Sequence, residues 1–207
     1  MTLGIVDHGL GNRRNVEKAL ARVGVDAVVT ADHEALRRAD GLVVPGVGAF
    51  PAGMAGLRER GLDELVVERA GDGTPILGLC VGMQLLFERS TELGGDTGLG
   101  LLAGDVLPLD APGHKIPHIG WNVVTFTHAS PLTAGLGDAA AFYHVHSFAP
   151  RPADEEVVLG RGELGRPFVS LVEHGNVFGA QFHPEKSSTS GLRLLANFAR
   201  VCAAVRA

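Results

Sequence analysis

The chain has 207 residues, 45% of them hydrophobic, and a formal net charge of −5. It is long enough to bury one good core and too acidic, with no run of Lys or Arg, for nucleic acid or an anionic membrane surface to be its partner. No apolar stretch approaches the roughly 18 residues of a spanning helix. The opening "MTLGIVD" carries no basic, long-apolar leader, and Cys80 and Cys202 are the only cysteines. The expectation is therefore a cytoplasmic protein with free thiols and one domain over residues 1–207.

In chain order, "LGIVD" predicts a strand and "NRRNVEKALARVG" a helix with Val16, Ala19, Leu20 and Val23 on one face. "DAVVT" and "GLVVPG" predict two more strands. "TPILGLC" predicts a central strand, followed by a helix through "VGMQLLFE". This alternation predicts a mainly parallel sheet with helices on both faces. From Leu101 the pattern changes to "GDVLPL", "GWNVVTF", "AFYHVHSF", "EEVVLGRGE", "PFVSLVEHG" and "VFGAQFHP", short strand-like runs that predict an antiparallel extension. Residues 188–205 predict a closing amphipathic helix.

Gly78-Leu79-Cys80-Val81-Gly82 places a thiol between two glycines at a strand-to-helix turn. Such an elbow lifts its central side chain above the sheet edge, and the free N–H groups of the helix start, Val81 first, favour ionised sulfur and can hold an oxyanion. By itself the elbow leaves open a buried structural cysteine. A nucleophile needs a base and an orienting group. "GAQFHPEKSS" offers both, His183 and Glu185, which at i, i+2 on an extended segment share a side. "VVPGVGAF" follows a buried strand with Pro45-Gly46-Val47-Gly48, whose Val47 or Gly48 N–H suits a second oxyanion donor.

Other signals lead nowhere. "GIVDHGLGN" has Arg14 where a dinucleotide fingerprint needs its third glycine. His144 and His146 lack further ligands at metal spacing, so no metal and no cofactor is expected. His114 and His118 read as rim or interface residues in a Pro/Gly-rich loop, and Cys202 as helix core.

"PGVGAF", "GLCVGMQLLFE", "KIPHIGWN", "HVHSF" and "GAQFHPEKSS" together resemble the class I (triad) glutamine amidotransferases. "PGVG" and "KIPHIGWN" resemble in particular the glutaminase subunits of imidazole glycerol phosphate synthases. The resemblance implies the class I amidotransferase-like, flavodoxin-like α/β fold and hydrolysis of L-glutamine by Cys80, with His183 as acid and base and Glu185 orienting it. By the family pattern Gly48, Gln84 and Glu92 line the glutamine pocket, Glu92 faces the substrate ammonium, and backbone at Ser147 and Phe148 takes the α-carboxylate. The implied partner is the (β/α)₈-barrel cyclase subunit, which would receive the ammonia for histidine biosynthesis. Asn12, Trp121 and Lys186 are the interface candidates, and docking is expected to flip the Val47 peptide into the oxyanion hole. His8 stands where the family usually has an aromatic, and "GNRRN", with Arg14, is unusually basic; both are expected where a partner could sit. Rival readings are a glutaminase of another pathway, a cysteine peptidase on the same sheet, and a glutamine sensor.

Overall fold

The computed structural model describes residues 1–205, so the last two residues of the expected 1–207 domain lie outside it. The first half runs β1 (Thr2–Val6), α1 (Arg13–Arg22), β2 (Asp26–Thr30), α2 (His33–Arg38), β3 (Gly41–Gly46), α3 (Phe50–Arg58), α4 (Leu62–Gly71), β4 (Ile76–Cys80) and α5 (Val81–Leu85). The second half adds β5 (Phe87–Ser90), β6 (Asp96–Thr97), β7 (Leu102–Pro108), β8 (His118–Phe126), β9 (Ala139–His146), β10 (Phe148–Pro152), β11 (Val158–Leu164), β12 (Arg166–His174), β13 (Val177–Ala180) and α6 (Ser188–Val205).

A nine-stranded sheet has the order β2-β1-β3-β4-β13-β12-β11-β8-β9. It is parallel from β2 to β13 and antiparallel from there to β9. This is the expected α/β architecture: a mainly parallel centre flanked by helices, continued by an antiparallel extension. The buried strands send alternate residues to opposite cores, as the two-residue period requires. Leu42, Val44, Ile76 and Cys80 join one core with Met54, Leu57 and Leu65, while Val43, Leu77 and Leu79 join the other with Leu20 and Phe198.

Three details differ from the sequence reading. The helix after Cys80 ends at Leu85 and the chain turns into β5. The N–H of Leu99 takes the Leu85 carbonyl, and those of Leu101 and Leu102 take the Leu86 carbonyl, so the helix has no acceptors left with which to continue. "AFYHVHSF" breaks at Ser147, with β9 in the large sheet and β10 in a second, four-stranded sheet of order β10-β7-β5-β6. "VFGAQFHP" supplies β13, which pairs antiparallel with β12 but parallel with β4 and so seats itself beside the central strand.

Candidate active site

The site lies at the carboxyl ends of β3, β4 and β13, where open α/β sheets present their loops to ligands. Register does the positioning. Gly46 pairs with Cys80 across β3/β4, so Val47 and Gly48 begin just beyond the sulfur. Ala180 pairs with Leu79 across β13/β4, which carries Gln181 alongside Cys80 and His183 just past it.

Cys80 has φ 54° and ψ −114°, a backbone conformation that L residues avoid. The strained position of the elbow is thus the nucleophile itself, and the flanking glycines serve close approach. A Cβ on Gly78 would stand 2.6 Å from the Gly82 carbonyl oxygen, and one on Gly82 would collide with the Val44 carbonyl of β3. Backbone cannot yield as a flexible side chain can, so Gly82→Ala is expected to cost at least about 3 kcal/mol in chemical denaturation. A cost below about 1 kcal/mol would mean that β3 and α5 can separate freely.

His183 caps a short 3₁₀ turn, Pro184–Lys186, so His183 and Glu185 meet across a turn and not along the extended segment expected. His183 Nδ1–H donates to Glu185 Oε1 at 3.0 Å. The same oxygen accepts from Asn12 Nδ2 at 3.1 Å, and Glu185 Oε2 is buried without a partner. Burial works against charge on the ring. Hydrogen bonds to Cys80 and Glu185, and the negative charge of both, outweigh it and push His183 up to about 9. An imidazolium is therefore held between sulfur and carboxylate at neutral pH.

A cleft of 280 Å³ opens over the sulfur. Val47, Gly48, Cys80 and Val81 form one side, Gln84 and Glu92 another, Ser147 and Phe148 a third, with His183 and Lys186 at the base side of the triad. Gly48 has φ +98°. Glu92 is half-buried, and its Oε2 accepts from Phe50 N–H at 2.8 Å, so the start of α3 holds its carboxylate in place. Gln84 is buried and donates both amide hydrogens, to Phe148 O and Gln181 Oε1, each at 3.1 Å. What it offers the cleft is its carbonyl oxygen.

Residues 4–202 match the family described as glutamine amidotransferase class-I. The chain belongs to that family. It is 48% identical over 196 residues to imidazole glycerol phosphate synthase subunit HisH of Bacillus cereus (strain G9842), covering 95% of this chain and 93% of the relative. The corresponding subunit of Moorella thermoacetica is 47% identical over the same shares of both chains. Among solved structures, one titled as a glutamine amidotransferase superposes with a TM-score of 0.77 at 26% identity, covering 97% of this chain and 98% of that one.

Within this amidotransferase the sequence-predicted residues do not all share one place. Asn12, expected at a partner surface, is half-buried and spends its amide on Glu185. Lys186 is exposed at the cleft. Trp121 is 55% exposed on β8, between Ile119 and Val123, which are also exposed on the same face. His8 does not sit at a surface. It is buried, and its Nε2–H donates to Pro45 O at 2.6 Å, fastening the start of the Pro-Gly-Val-Gly turn; Arg14 is exposed and pairs with Glu17. His118 is not a rim residue either. It opens β8 opposite His146, buried and with its ring stacked on His144. His118 Nδ1 and His146 Nε2 lie 3.1 Å apart and His144 Nε2 meets Ser170 Oγ at 2.8 Å, and among the described residues no cluster of three or more ligating side chains is placed to hold an ion. Sequence reasoning missed Gln181 and His146 as neighbours of the cleft. The only trace of Gln181 was an amide at the end of an apolar strand.

Proposed function

We propose that this amidotransferase is the glutamine-hydrolysing subunit of an imidazole glycerol phosphate synthase, working as a heterodimer with a (β/α)₈-barrel cyclase subunit. The observation that carries the reading is Cys80, on a strained elbow, sharing the cleft with a His183 whose ring it raises and which Glu185 in turn orients. In the proposed reaction the Cys80 sulfur attacks the carboxamide carbon of L-glutamine, and the oxygen takes up charge facing the Val81 N–H and a second N–H from Val47 or Gly48. His183 gives its proton to the departing nitrogen, releasing ammonia and leaving a thioester. A water that loses a proton to His183 then attacks the thioester, releasing glutamate and restoring the thiol. Glu92 faces the substrate ammonium, and the Ser147–Phe148 backbone takes the carboxylate.

Ammonia released to water at neutral pH becomes ammonium and loses its nucleophilicity, so direct transfer to a synthase site is part of the reading. The exposed Ile119, Trp121 and Val123, with Lys186 at the cleft, are the surface assigned to the partner. A cytoplasmic location goes with this pathway and with two unpaired, buried thiols; among the described residues no helix is long and apolar enough to cross a membrane. The test is glutamate release by the pure chain with and without the cyclase subunit and its ribonucleotide ligand. Strong stimulation by both is expected. Glutaminase activity indifferent to that partner would move the chain to another amidotransferase pathway, and cleavage of a labelled peptide in place of glutamine would make it a peptidase.

A further inference from the structure

Gln181 is fully buried, and Nε2 of its amide lies 3.9 Å from the Cys80 sulfur. We propose that Gln181 is a further catalytic residue, a hydrogen-bond donor that stabilises ionised Cys80 sulfur and ties it to the glutamine-binding Gln84. The proposal rests on Cys80 being the nucleophile.

The orientation of the Gln181 amide follows from one backbone carbonyl. Phe148 O can only accept, so the groups facing it, His146 Nδ1 at 2.8 Å and Gln84 Nε2 at 3.1 Å, must both donate. Gln84 directs its other hydrogen to Gln181 Oε1 at 3.1 Å. Gln181 must then turn its NH₂ group toward the sulfur. On the far side the orientation is locked again: neutral His146 has its hydrogen on Nδ1, so its Nε2 accepts from His118 Nδ1–H at 3.1 Å. Every donor from His118 to Gln181 is thus committed in one sense, and no alternative flip satisfies Phe148 O.

The sulfur has a second neighbour, Val145 O, at 3.7 Å. A thiol can donate to that carbonyl, but an ionised sulfur is repelled by it and needs donors. His183 supplies one and Gln181 the other. When water displaces the sulfur from the thioester, the sulfur leaves with its electron pair, and Gln181, which does not titrate, is a side-chain donor facing it at that step.

The test uses the full chain with its cyclase partner. Gln181→Met keeps the shape and removes the donor. The pH profile of Cys80 alkylation by iodoacetamide is expected to move up by about one unit or more, and partner-stimulated kcat to fall at least about tenfold. Any loosening of Gln84 would appear separately, in KM for glutamine. Gln181→Met that folds and alkylates with the wild-type profile would overturn the proposal. Should that variant not fold, the wild-type protein still decides: the Gln181 side-chain amide resonance must shift when Cys80 is alkylated, and an unmoved resonance refutes the contact. Neither the alkylation profile nor the amide resonance needs glutamine, so a wild type unable to hydrolyse glutamine would count against the function proposed above and leave this contact to be judged on its own.

Discussion

Cys80→Ala is expected to lower partner-stimulated glutamine hydrolysis by at least about 10⁴-fold, because no other group in the cleft can form the thioester and what remains is binding and the oxyanion donors alone. Cys202, the other thiol, cannot substitute. It is buried in α6, and burial pushes it up to about 12, so it stays a thiol. The variant should still bind glutamine, since Gln84, Glu92 and the Ser147–Phe148 backbone are untouched. Stability separates two versions of the knock-out. An alanine keeps a Cβ at φ 54°, ψ −114°, whereas glycine removes it. Strain at such a position is about 1–3 kcal/mol, and the unfolded-state cost of glycine is about 0.4–1 kcal/mol. Strain wins, so Cys80→Gly should unfold at higher denaturant than Cys80→Ala while being equally inactive. Equal midpoints would mean that the elbow is relaxed.

The same substitution reports on His183. Two of the effects that raise its ring come from Cys80, so in Cys80→Ala the ring should titrate at lower pH than the wild-type value of about 9. In the wild type the folded value lies above the ordinary 6.5. The imidazolium's contribution to stability is therefore full below 6.5 and drains away as pH rises through about 9.

Much of this site was legible because strand register is a local matter. Apolar runs of period two and the glycines around Cys80 define β3 and β4, and once those strands pair, Gly46 must face Cys80 and Val47 must follow it. His183 and Glu185 were legible from a motif whose chemistry requires both. What escaped was decided by contacts distant in sequence. The end of α5 depends on backbone N–H groups of residues 99–102, which a window around Leu85 does not contain. Asn12 finds Glu185 across 173 positions, and His118 is buried only because β9 lies against β8 and brings His144 and His146 over it. A polar residue reads as surface until its partner is known, and each of these has a partner from a distant part of the chain.

That buried histidine cluster sets the acid limit of the fold. Burial, reinforced by mutual repulsion, lowers His144 to about 2 and His146 to about 4, and it also lowers His118 and, beside Pro45, His8. For groups depressed below the unfolded 6.5, stability is complete above 6.5 and is lost as pH falls toward the folded values. At pH 5 a histidine held neutral 1.5 units below its ordinary value costs about 2 kcal/mol, so His144 and His146 together cost about 4 kcal/mol. That is a large part of the roughly 5–15 kcal/mol that a domain has in total. His183 offsets part of the loss: at pH 7.5 a ring raised to about 9 contributes about 2 kcal/mol of the roughly 3.4 kcal/mol available to it, so it gains about 1.4 kcal/mol more on going to pH 5.0. Guanidinium unfolding at pH 7.5 and pH 5.0 should therefore differ by about 2.5 kcal/mol. His144→Leu paired with Ser170→Ala, which leaves no orphaned hydroxyl, should remove about 2 kcal/mol of that difference whatever it does to absolute stability. Equal stability at the two pH values would mean that the cluster is hydrated and protonates in place.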